Sequence, residues 1–222
     1  MNKLSIFLAG IVVFACSQSF AEDIKGVFAG PYVSLGAGYQ KNKIFNENVS
    51  SPGTSLSFDQ PSSWDHNPAL QLQAGYGFNL GSRFNLGANI FYNISNGNSG
   101  HIKSTFYQDD TKQKLENNLG ISFEPGVYIN NKLLSFLKVG YVRADKKYVR
   151  RNFAISLDDS IDGYLYGFGS KYMINKNVYL GADLTRYRYN STKEATNLGF
   201  IPVIVTSKAE QTMGLISIGY KF

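Results

Sequence analysis

The residues best suited to catalysis are the two histidines, His66 and His101. A hydrolase would need one of them as a general base beside a nucleophile, with both groups held on rigid elements. Both histidines fall in long polar segments that we interpret as loops. We therefore expect no catalytic residue, no bound cofactor and no metal site, so the chain is predicted not to be an enzyme. A metal site formed by the two histidines is the alternative.

Glycine-rich triplets and acidic pairs are also weak signals for chemistry. The triplets GAG, GYG and GFG resemble pieces of phosphate-binding loops, but no helix follows any of them, so we interpret them as structural. The pairs Asp109-Asp110 and Asp158-Asp159 are either solvated loop acids or sites where calcium bridges the protein to an anionic surface.

Two groups of charged residues lie on regularly alternating segments. The first group would pair across an enclosed space, and it comprises Arg83, Glu116, Glu124, Lys138, Lys171, Asp183 and Lys221. The second group continues apolar faces, because Arg143 follows Tyr141, and Arg186 and Arg188 follow Leu184, at intervals of two. Guanidinium groups in such positions suit bidentate contacts to phosphate. Whether either interpretation is correct depends on the secondary structure that carries these residues.

The N-terminus has the form of a secretory signal peptide. Lys3 precedes an apolar run from Leu4 to Phe14, and Ser19-Phe20-Ala21 supplies small residues for cleavage. We predict a signal peptide at 1–21 and one domain at 22–222. The only cysteine, Cys16, would leave with the signal; a lipoprotein cleavage site at Cys16 is the alternative. The apolar run is too short for a spanning helix of about 20 residues.

Period-two alternation recurs along the rest of the chain and predicts β-strands. From Leu70 to Leu80, one face is apolar and the other carries Gln71, Gln73, Gly75, Gly77 and Asn79. Eight segments follow this pattern, and they lie near 32–39, 70–80, 83–92, 118–124, 137–142, 164–169, 179–184 and 213–222. Short turns near 80–82, 129–132 and 173–177 alternate with long polar segments near 42–66, 95–114, 144–160 and 190–208. Short turns on one side and long loops on the other are typical of a transmembrane barrel.

Side-chain size predicts which face points outward. The polar face is rich in glycine, which suits the narrow lumen of an eight-stranded barrel, whereas the bulky face ends in Tyr or Phe at many strand ends, as an aromatic girdle does. We therefore predict an all-β fold, an eight-stranded antiparallel up-and-down transmembrane β-barrel with short periplasmic turns and four long extracellular loops. The chain ends on Phe222, with Tyr220, Ile218 and Ile216 on the same face.

The sequence resembles the opacity/OmpA-type family of outer-membrane β-barrels, including its OmpX-like members. The resemblance rests on Gly30–Tyr39, on Gly167–Tyr172, on Leu180–Asp183 and on the terminal Gly219–Phe222. It covers nearly the whole mature chain and implies a Gram-negative outer-membrane location. It also implies adhesion, resistance to host defences, minor pore activity or a structural role in the envelope, and family members differ in their loops.

We therefore expect an integral, surface-exposed outer-membrane protein that acts through its loops in adhesion, host interaction or envelope integrity. A porin-like channel for small solutes is the alternative, and a barrel without a specific ligand is a third. The net charge of +6 suggests outer-membrane lipid, lipopolysaccharide and host surface molecules as partners rather than nucleic acid, which an exported chain seldom meets. We expect a monomer.

Two regions at the long-loop end have alternative interpretations. Arg143, Arg186 and Arg188 are predicted to contact lipopolysaccharide phosphates, with Lys146, Lys147, Arg150 and Arg151 extending the basic character; the alternative is a solvated basic loop. The apolar run at 200–205 is either a contact site or an extension of the last two strands above the bilayer, which we favour.

Overall fold

The computed structural model describes residues 26–51, 54–56, 64–94, 97–103, 110–150, 157–198 and 201–222. The predicted signal peptide and its cleavage site lie outside these residues. The described part contains eleven strands, whose bounds are β1 Gly30–Ser51, β2 Thr54–Leu56, β3 Trp64–Leu80, β4 Phe84–Asn93, β5 Gly97–Lys103, β6 Asp110–Tyr128, β7 Leu133–Arg150, β8 Leu157–Met173, β9 Val178–Tyr189, β10 Thr192–Leu198 and β11 Ile201–Lys221. In this part of the chain, no helix is long and apolar enough to span a membrane.

Eight of these strands form a closed antiparallel barrel, which confirms the predicted fold. Their order around the wall is β1, β3, β4, β6, β7, β8, β9 and β11, and the pairing of β11 with β1 closes the ring. In that closing pair, Leu35 lies opposite Ile218 and Tyr39 lies opposite Gly214. The short strands β2, β5 and β10 pair with β1, β6 and β11 at the end of the barrel opposite the short turns.

Three short turns join strands at one end of the barrel, and side chains stabilise two of them. The Asn130 side-chain oxygen accepts hydrogen bonds from the N–H groups of Lys132 and Leu133, both at 2.9 Å. Asn175 does the same for Asn177 and Val178. Asparagine favours such turns because its side chain replaces a backbone acceptor. Gly81, with φ of 76°, supplies the left-handed conformation in the third turn.

The outer and inner faces have the predicted polarity. Large apolar side chains point outward and are exposed, including Leu137 at 62% and Ile216 at 71%, whereas the inward face buries Gln73, Asn89 and Ser122. Such an apolar exterior is stable only against hydrocarbon, where a closed barrel satisfies every backbone group. Glycine lets neighbouring strands approach closely: a Cβ at Gly140 would lie 2.2 Å from the Ile121 carbonyl oxygen.

The four long segments contain more strand than predicted. β1 continues to Ser51, β7 continues to Arg150, and β11 begins at Ile201, so the predicted bounds of these loops are wrong. A strand that has left the bilayer no longer needs an apolar face, so the loss of apolar alternation does not mark its end. The segment 201–205 pairs with β10 and belongs to an extension of the last strands, as favoured above, while residue 200 lies outside the described part.

Candidate functional site

Four charged residues meet inside the barrel, one from each of four consecutive strands, and three are buried while Asp183 is partly buried. Glu124 on β6 pairs with Lys171 on β8, with 2.6 Å between Lys171 Nζ and Glu124 Oε2. Lys138 on β7 lies 3.8 Å from Glu124 Oε1 and 3.6 Å from Asp183 Oδ1 on β9. The two lysines and two carboxylates balance in charge. Buried charges persist only when they are paired in this way, because desolvation of an unpaired charge is costly.

Neutral groups complete the coordination of this charge cluster, which comprises Glu124, Lys138, Lys171 and Asp183. Lys171 Nζ donates to Tyr32 Oη at 3.2 Å and lies 4.4 Å from the centre of the Tyr32 ring. Gln73 Nε2 donates to Glu124 Oε1 at 3.3 Å, and Thr185 Oγ1 donates to Asp183 Oδ1 at 2.9 Å. A cavity beside the cluster has a volume of only about 10 Å³, which is about what one water molecule requires.

An aromatic layer lies between the charge cluster and the short-turn end of the lumen. Its members are buried, and they are Phe28, Tyr32, Tyr128, Leu134, Met173 and Tyr179. The Phe28 ring lies 6.2 Å from that of Tyr128 and 5.7 Å from that of Tyr179, and the Phe28 N–H donates to Tyr128 Oη at 3.0 Å. The segment just before β1 thus folds into the mouth of the barrel.

A layer of amides lies on the opposite side of the charge cluster. Gln211 Nε2 donates to Gln40 Oε1 at 2.7 Å, and Asn118 Nδ2 donates to Gln211 Oε1 at 3.0 Å. Gln71 Nε2 donates to Asn93 Oδ1 at 2.7 Å. Apolar side chains pack around this layer, including Phe91, Val142, Tyr187 and Met213. Side chains therefore fill the described lumen in three successive layers, as expected for eight strands.

The structure brings together only some of the residues predicted for the lumen network. Glu124, Lys138, Lys171 and Asp183 meet, but Arg83 does not join them, and its placement in the lumen was wrong. Arg83 is exposed in the turn between β3 and β4, because β4 begins at Phe84 and strand alternation does not apply to the residue before it. Lys221 lies at the short-turn mouth, where its carbonyl accepts a hydrogen bond from Asn177 Nδ2 at 2.8 Å. The Glu116 side chain lies outside the described part.

The three predicted arginines lie on the outer surface near the long-loop end. Arg143 on β7 lies opposite Asp162 on β8, and its Nε is 3.8 Å from the Asp162 carboxylate. On β9, Arg186 Nη2 and Arg188 Nε lie 2.5 and 3.3 Å from the two oxygens of Glu210. All three guanidinium groups are at least 42% exposed. Each arginine is thus oriented by a carboxylate while part of it stays accessible from outside the barrel.

Two lysines that the sequence analysis missed extend this outer rim. Lys41 and Lys43 continue the outward face of β1 beyond Tyr39, and they lie opposite Thr212 and Glu210 of β11. The period-two rule that identified the arginines applies to them equally. They were missed because the first strand was assumed to end near Tyr39. We use the term cationic rim for Lys41, Lys43, Arg143, Arg186 and Arg188.

The other residues considered for chemistry do not form a site in the described structure. His66 is exposed on β3, and the side chain of His101 on β5 lies outside the described part. Asp110 belongs to β6, and Asp158 and Asp159 belong to β8, again without described side chains. Among the described residues, no three His, Cys, Asp or Glu side chains lie close enough to hold a metal ion.

Comparison with known proteins agrees with this architecture. A family model for the outer membrane protein beta-barrel domain matches residues 6–222. Among solved structures, the chain is similar to the outer membrane protein OprG from Pseudomonas aeruginosa, with 16% identity, a TM-score of 0.57, and coverage of 90% of this chain and 99% of that one. The similarity at this identity supports the fold alone.

Two further structures align over similar lengths. Ail, the attachment invasion locus protein of Yersinia pestis, is 16% identical with a TM-score of 0.43, over 87% of this chain and 99% of that one. Neisserial surface protein A is 13% identical with a TM-score of 0.47, over 87% and 98%. A search of curated proteins found no match. The family match, the closed barrel and its apolar exterior together show that the chain belongs to the outer membrane protein beta-barrel domain family and is an integral protein of the bacterial outer membrane.

Proposed function

We propose that this barrel acts at the cell surface through its extracellular segments, in adhesion, host interaction or envelope integrity. The observation that carries the proposal is the filled lumen. The charge cluster lies between an aromatic layer and an amide layer, so the described part of the lumen offers neither a ligand pocket of useful size nor an open path for solutes. The wall, in contrast, continues well past the lipid-facing surface: β1 has 22 residues and β11 has 21.

We infer that the cationic rim holds the barrel in the outer leaflet by contacting lipopolysaccharide phosphates. Arg188 lies opposite Tyr164 and Arg186 lies opposite Tyr166, two outward tyrosines of the kind that mark the membrane interface. Because interface tyrosines lie at the headgroup level, we expect the phosphate groups of outer-leaflet lipids at the same height. Carboxylate partners such as Glu210 reduce the conformational entropy that the arginines would lose on binding.

A porin-like channel is the rival proposal, and eight strands with a filled lumen disfavour it. A hydrolytic function is disfavoured as well, because His66 is exposed and away from the buried charged groups. We propose a non-enzymatic, monomeric protein, with host surface molecules and outer-membrane lipids as its partners.

The test compares wild-type protein with a trimmed barrel in which each long segment is replaced by a two-residue turn. Suitable junctions lie between cross-strand partners, namely Lys43 and Trp64, Asn93 and Asn118, Asp145 and Ser160, and Thr192 and Ser207. The matched control carries Lys132→Gln and Lys176→Gln, which lie in turns at the opposite end. A shift between unboiled and boiled samples on a denaturing gel verifies that each barrel is folded.

The expected result is that cells displaying the wild type or the turn variant bind cultured host cells or resist serum, and that cells displaying the trimmed barrel do not. Equal behaviour of the trimmed barrel and the wild type would overturn the proposal. Planar-bilayer conductance that survives trimming would establish the channel instead.

A further inference from the structure

The wall of the barrel splits beyond Asp162 of β8, toward the long-loop end. The Asn190 N–H donates to the Asp162 carbonyl oxygen at 2.8 Å, which is the last backbone contact between β8 and the chain after β9 in the described structure. From Thr192 onward the chain pairs with β11, while β8 stays paired with β7 as far as Leu157. We use the term edge slot for the space between residues 157–161 of β8 and strand β10.

A cavity lies at the base of the edge slot. It has a volume of about 400 Å³, and its lining includes Tyr164 of β8, Asn190 and Ser191 after β9, and Glu210 of β11. This volume is within the range of about 300–1,000 Å³ that is usual for ligand-binding pockets. The two sides of the slot therefore leave room at its base for a side chain of a bound molecule.

Among the described strands, β8 has no partner on the side that faces the edge slot. In an antiparallel sheet, the N–H and C=O groups of every second residue point toward the same neighbouring strand. The Asp162 carbonyl points toward the chain after β9, so the backbone groups of Ser160 and Asp158 point the same way. The pairing of β8 with β9 begins only at Gly163. The backbone groups of Ser160 and Asp158 are therefore open to a further strand.

β10 has an open edge as well, again among the described strands, because it ends the strand order with β11 as its neighbour. Asn190 points toward β8, so by alternation Tyr187 points toward its partner Gln211 of β11. Ser207 follows the same alternation as Gln211, and its partner Thr192 therefore points toward β11. The β10 residues whose backbone groups point into the edge slot are Lys193, Ala195 and Asn197.

Two facing strand edges with open backbone donors and acceptors are a template for a further strand. We propose that the edge slot binds an extended peptide segment of a partner protein, which adds to β10 as an antiparallel strand. β10 offers seven residues, and antiparallel pairing is slightly more stable per residue than parallel pairing. Main-chain hydrogen bonds supply the affinity in this mode of recognition. The inference rests on the proposed function, because it names the kind of partner that the extracellular segments contact.

The experiment selects linear peptides longer than β10 from a phage-displayed library on the full-length folded barrel in nanodiscs, after depletion on empty nanodiscs. The strongest binder is synthesised unmodified and in two N-methylated forms, in which every second backbone N–H is blocked in one register or the other. The slot variant is Ala195→Pro, which removes an N–H that faces the slot, at an edge where proline is tolerated. Its matched control is Ala195→Val, which changes the side chain and keeps the N–H. Gel mobility of unboiled samples verifies folding.

We expect Ala195→Pro to bind the unmodified peptide about tenfold or more weakly than the wild type, and Ala195→Val to bind it like the wild type. One N-methylated form should lose binding to the wild type, a comparison that does not depend on the folding of any variant. Failure to select a peptide, equal binding by Ala195→Pro and the wild type, or equal binding of all three peptide forms would overturn the proposal. Dimerisation of the barrel that Ala195→Pro abolishes would assign the edge to a second copy and overturn it as well.

The host-cell assay with the trimmed barrel reports separately on the proposed function, because Ala195→Pro keeps all four long segments. Peptide binding that Ala195→Pro leaves unchanged, together with loss of host-cell binding by the trimmed barrel, would overturn this inference alone. Equal host-cell binding by the trimmed barrel and the wild type would overturn the proposed function, whatever the result with peptides.

Discussion

Lys171 Nζ on β8 and Glu124 Oε2 on β6 lie 2.6 Å apart across the lumen, with the intervening strand β7 contributing Lys138 to the same carboxylate at 3.8 Å. The pair links strands that are not neighbours in the wall. The pair therefore stabilises the packing across the lumen rather than the strand pairing within any one hairpin. Because both groups are buried, removal of either leaves a charge without its closest partner.

We expect Lys171→Met to lower the free energy of unfolding by about 3–5 kcal/mol, as for other broken buried ion pairs. The double variant Lys171→Met with Glu124→Gln should recover much of that loss, because Lys138 and Asp183 still pair with each other. Urea unfolding in lipid vesicles, followed by gel mobility, measures the four corners of this double-mutant cycle. Simple additivity of the two single changes would contradict the pairing.

Phe28 is a second buried anchor. Phe28→Ala removes a ring that contacts Tyr128 and Tyr179 at the short-turn mouth, and we expect a loss of about 3 kcal/mol in unfolding free energy. Val27→Ala, at the partly buried neighbour, should cost less and is the matched control. Equal losses for the two variants would show that the Phe28 ring does not close the mouth.

The close approach of strands predicts that alanine substitution has different effects on stability at two glycines. Gly140→Ala would place a Cβ 2.2 Å from the Ile121 carbonyl oxygen, whereas at Gly214 the nearest atom is a Leu184 methyl carbon at 3.7 Å. We expect Gly140→Ala to cost about 1–3 kcal/mol, as for overpacking, and Gly214→Ala to be nearly neutral. The measurement is the folded fraction after refolding into vesicles, and similar yields would refute the expectation.

The cationic rim predicts lipid association that depends on charge and salt. The triple variant Arg143→Gln, Arg186→Gln and Arg188→Gln should retain less lipopolysaccharide through purification than the wild type. The difference should shrink in high salt, because screening weakens exposed ion pairs. Unchanged lipopolysaccharide content, measured by phosphate analysis of the folded protein, would refute the contact at this rim.

Topology predicts where trypsin cuts intact cells. Lys132 and Lys176 are exposed in the short turns and should be cut only after the outer membrane is permeabilised. Sites in the long segments, such as Lys193 and Arg151, should be open to cleavage from outside. Peptide mapping distinguishes the two groups. Early cleavage at Lys132 or Lys176 in sealed cells would show that the assigned orientation is reversed.

The barrel and its polarity could be predicted from the sequence because lipid imposes a strict alternation on every strand that crosses it. The same rule identified outward-facing Arg143, Arg186 and Arg188. It failed at Arg83 because the alternation was continued into a turn, and it missed Lys41 and Lys43 because the strand was ended too early. In each case the error lies at the limit of the bilayer, where the constraint that produces the pattern disappears.

The sequence predicts the direction in which a side chain points better than it predicts which side chains pair. The alternation predicts that four charged residues point inward, namely Glu124, Lys138, Lys171 and Asp183. Which of them meet depends on the register between β6, β7, β8 and β9, and alternation does not determine that register. After Asn190 the chain parts from β8, and β10 pairs with β11 instead. Nothing in the residues around Asn190 distinguishes that divergence from an ordinary loop.

Closure of the barrel by its first and last strands has a kinetic consequence. Tyr32 pairs with Lys221, and Leu35 pairs with Ile218, so the ring is completed only by contacts between the two ends of the chain. Long-range contacts of this kind form late, because the loop they close is costly in entropy. A chain interrupted before β11 would present two unpaired edges to the membrane. Closure of the barrel therefore requires β11, and we expect a chain interrupted before it to form an incomplete wall rather than a partly working barrel.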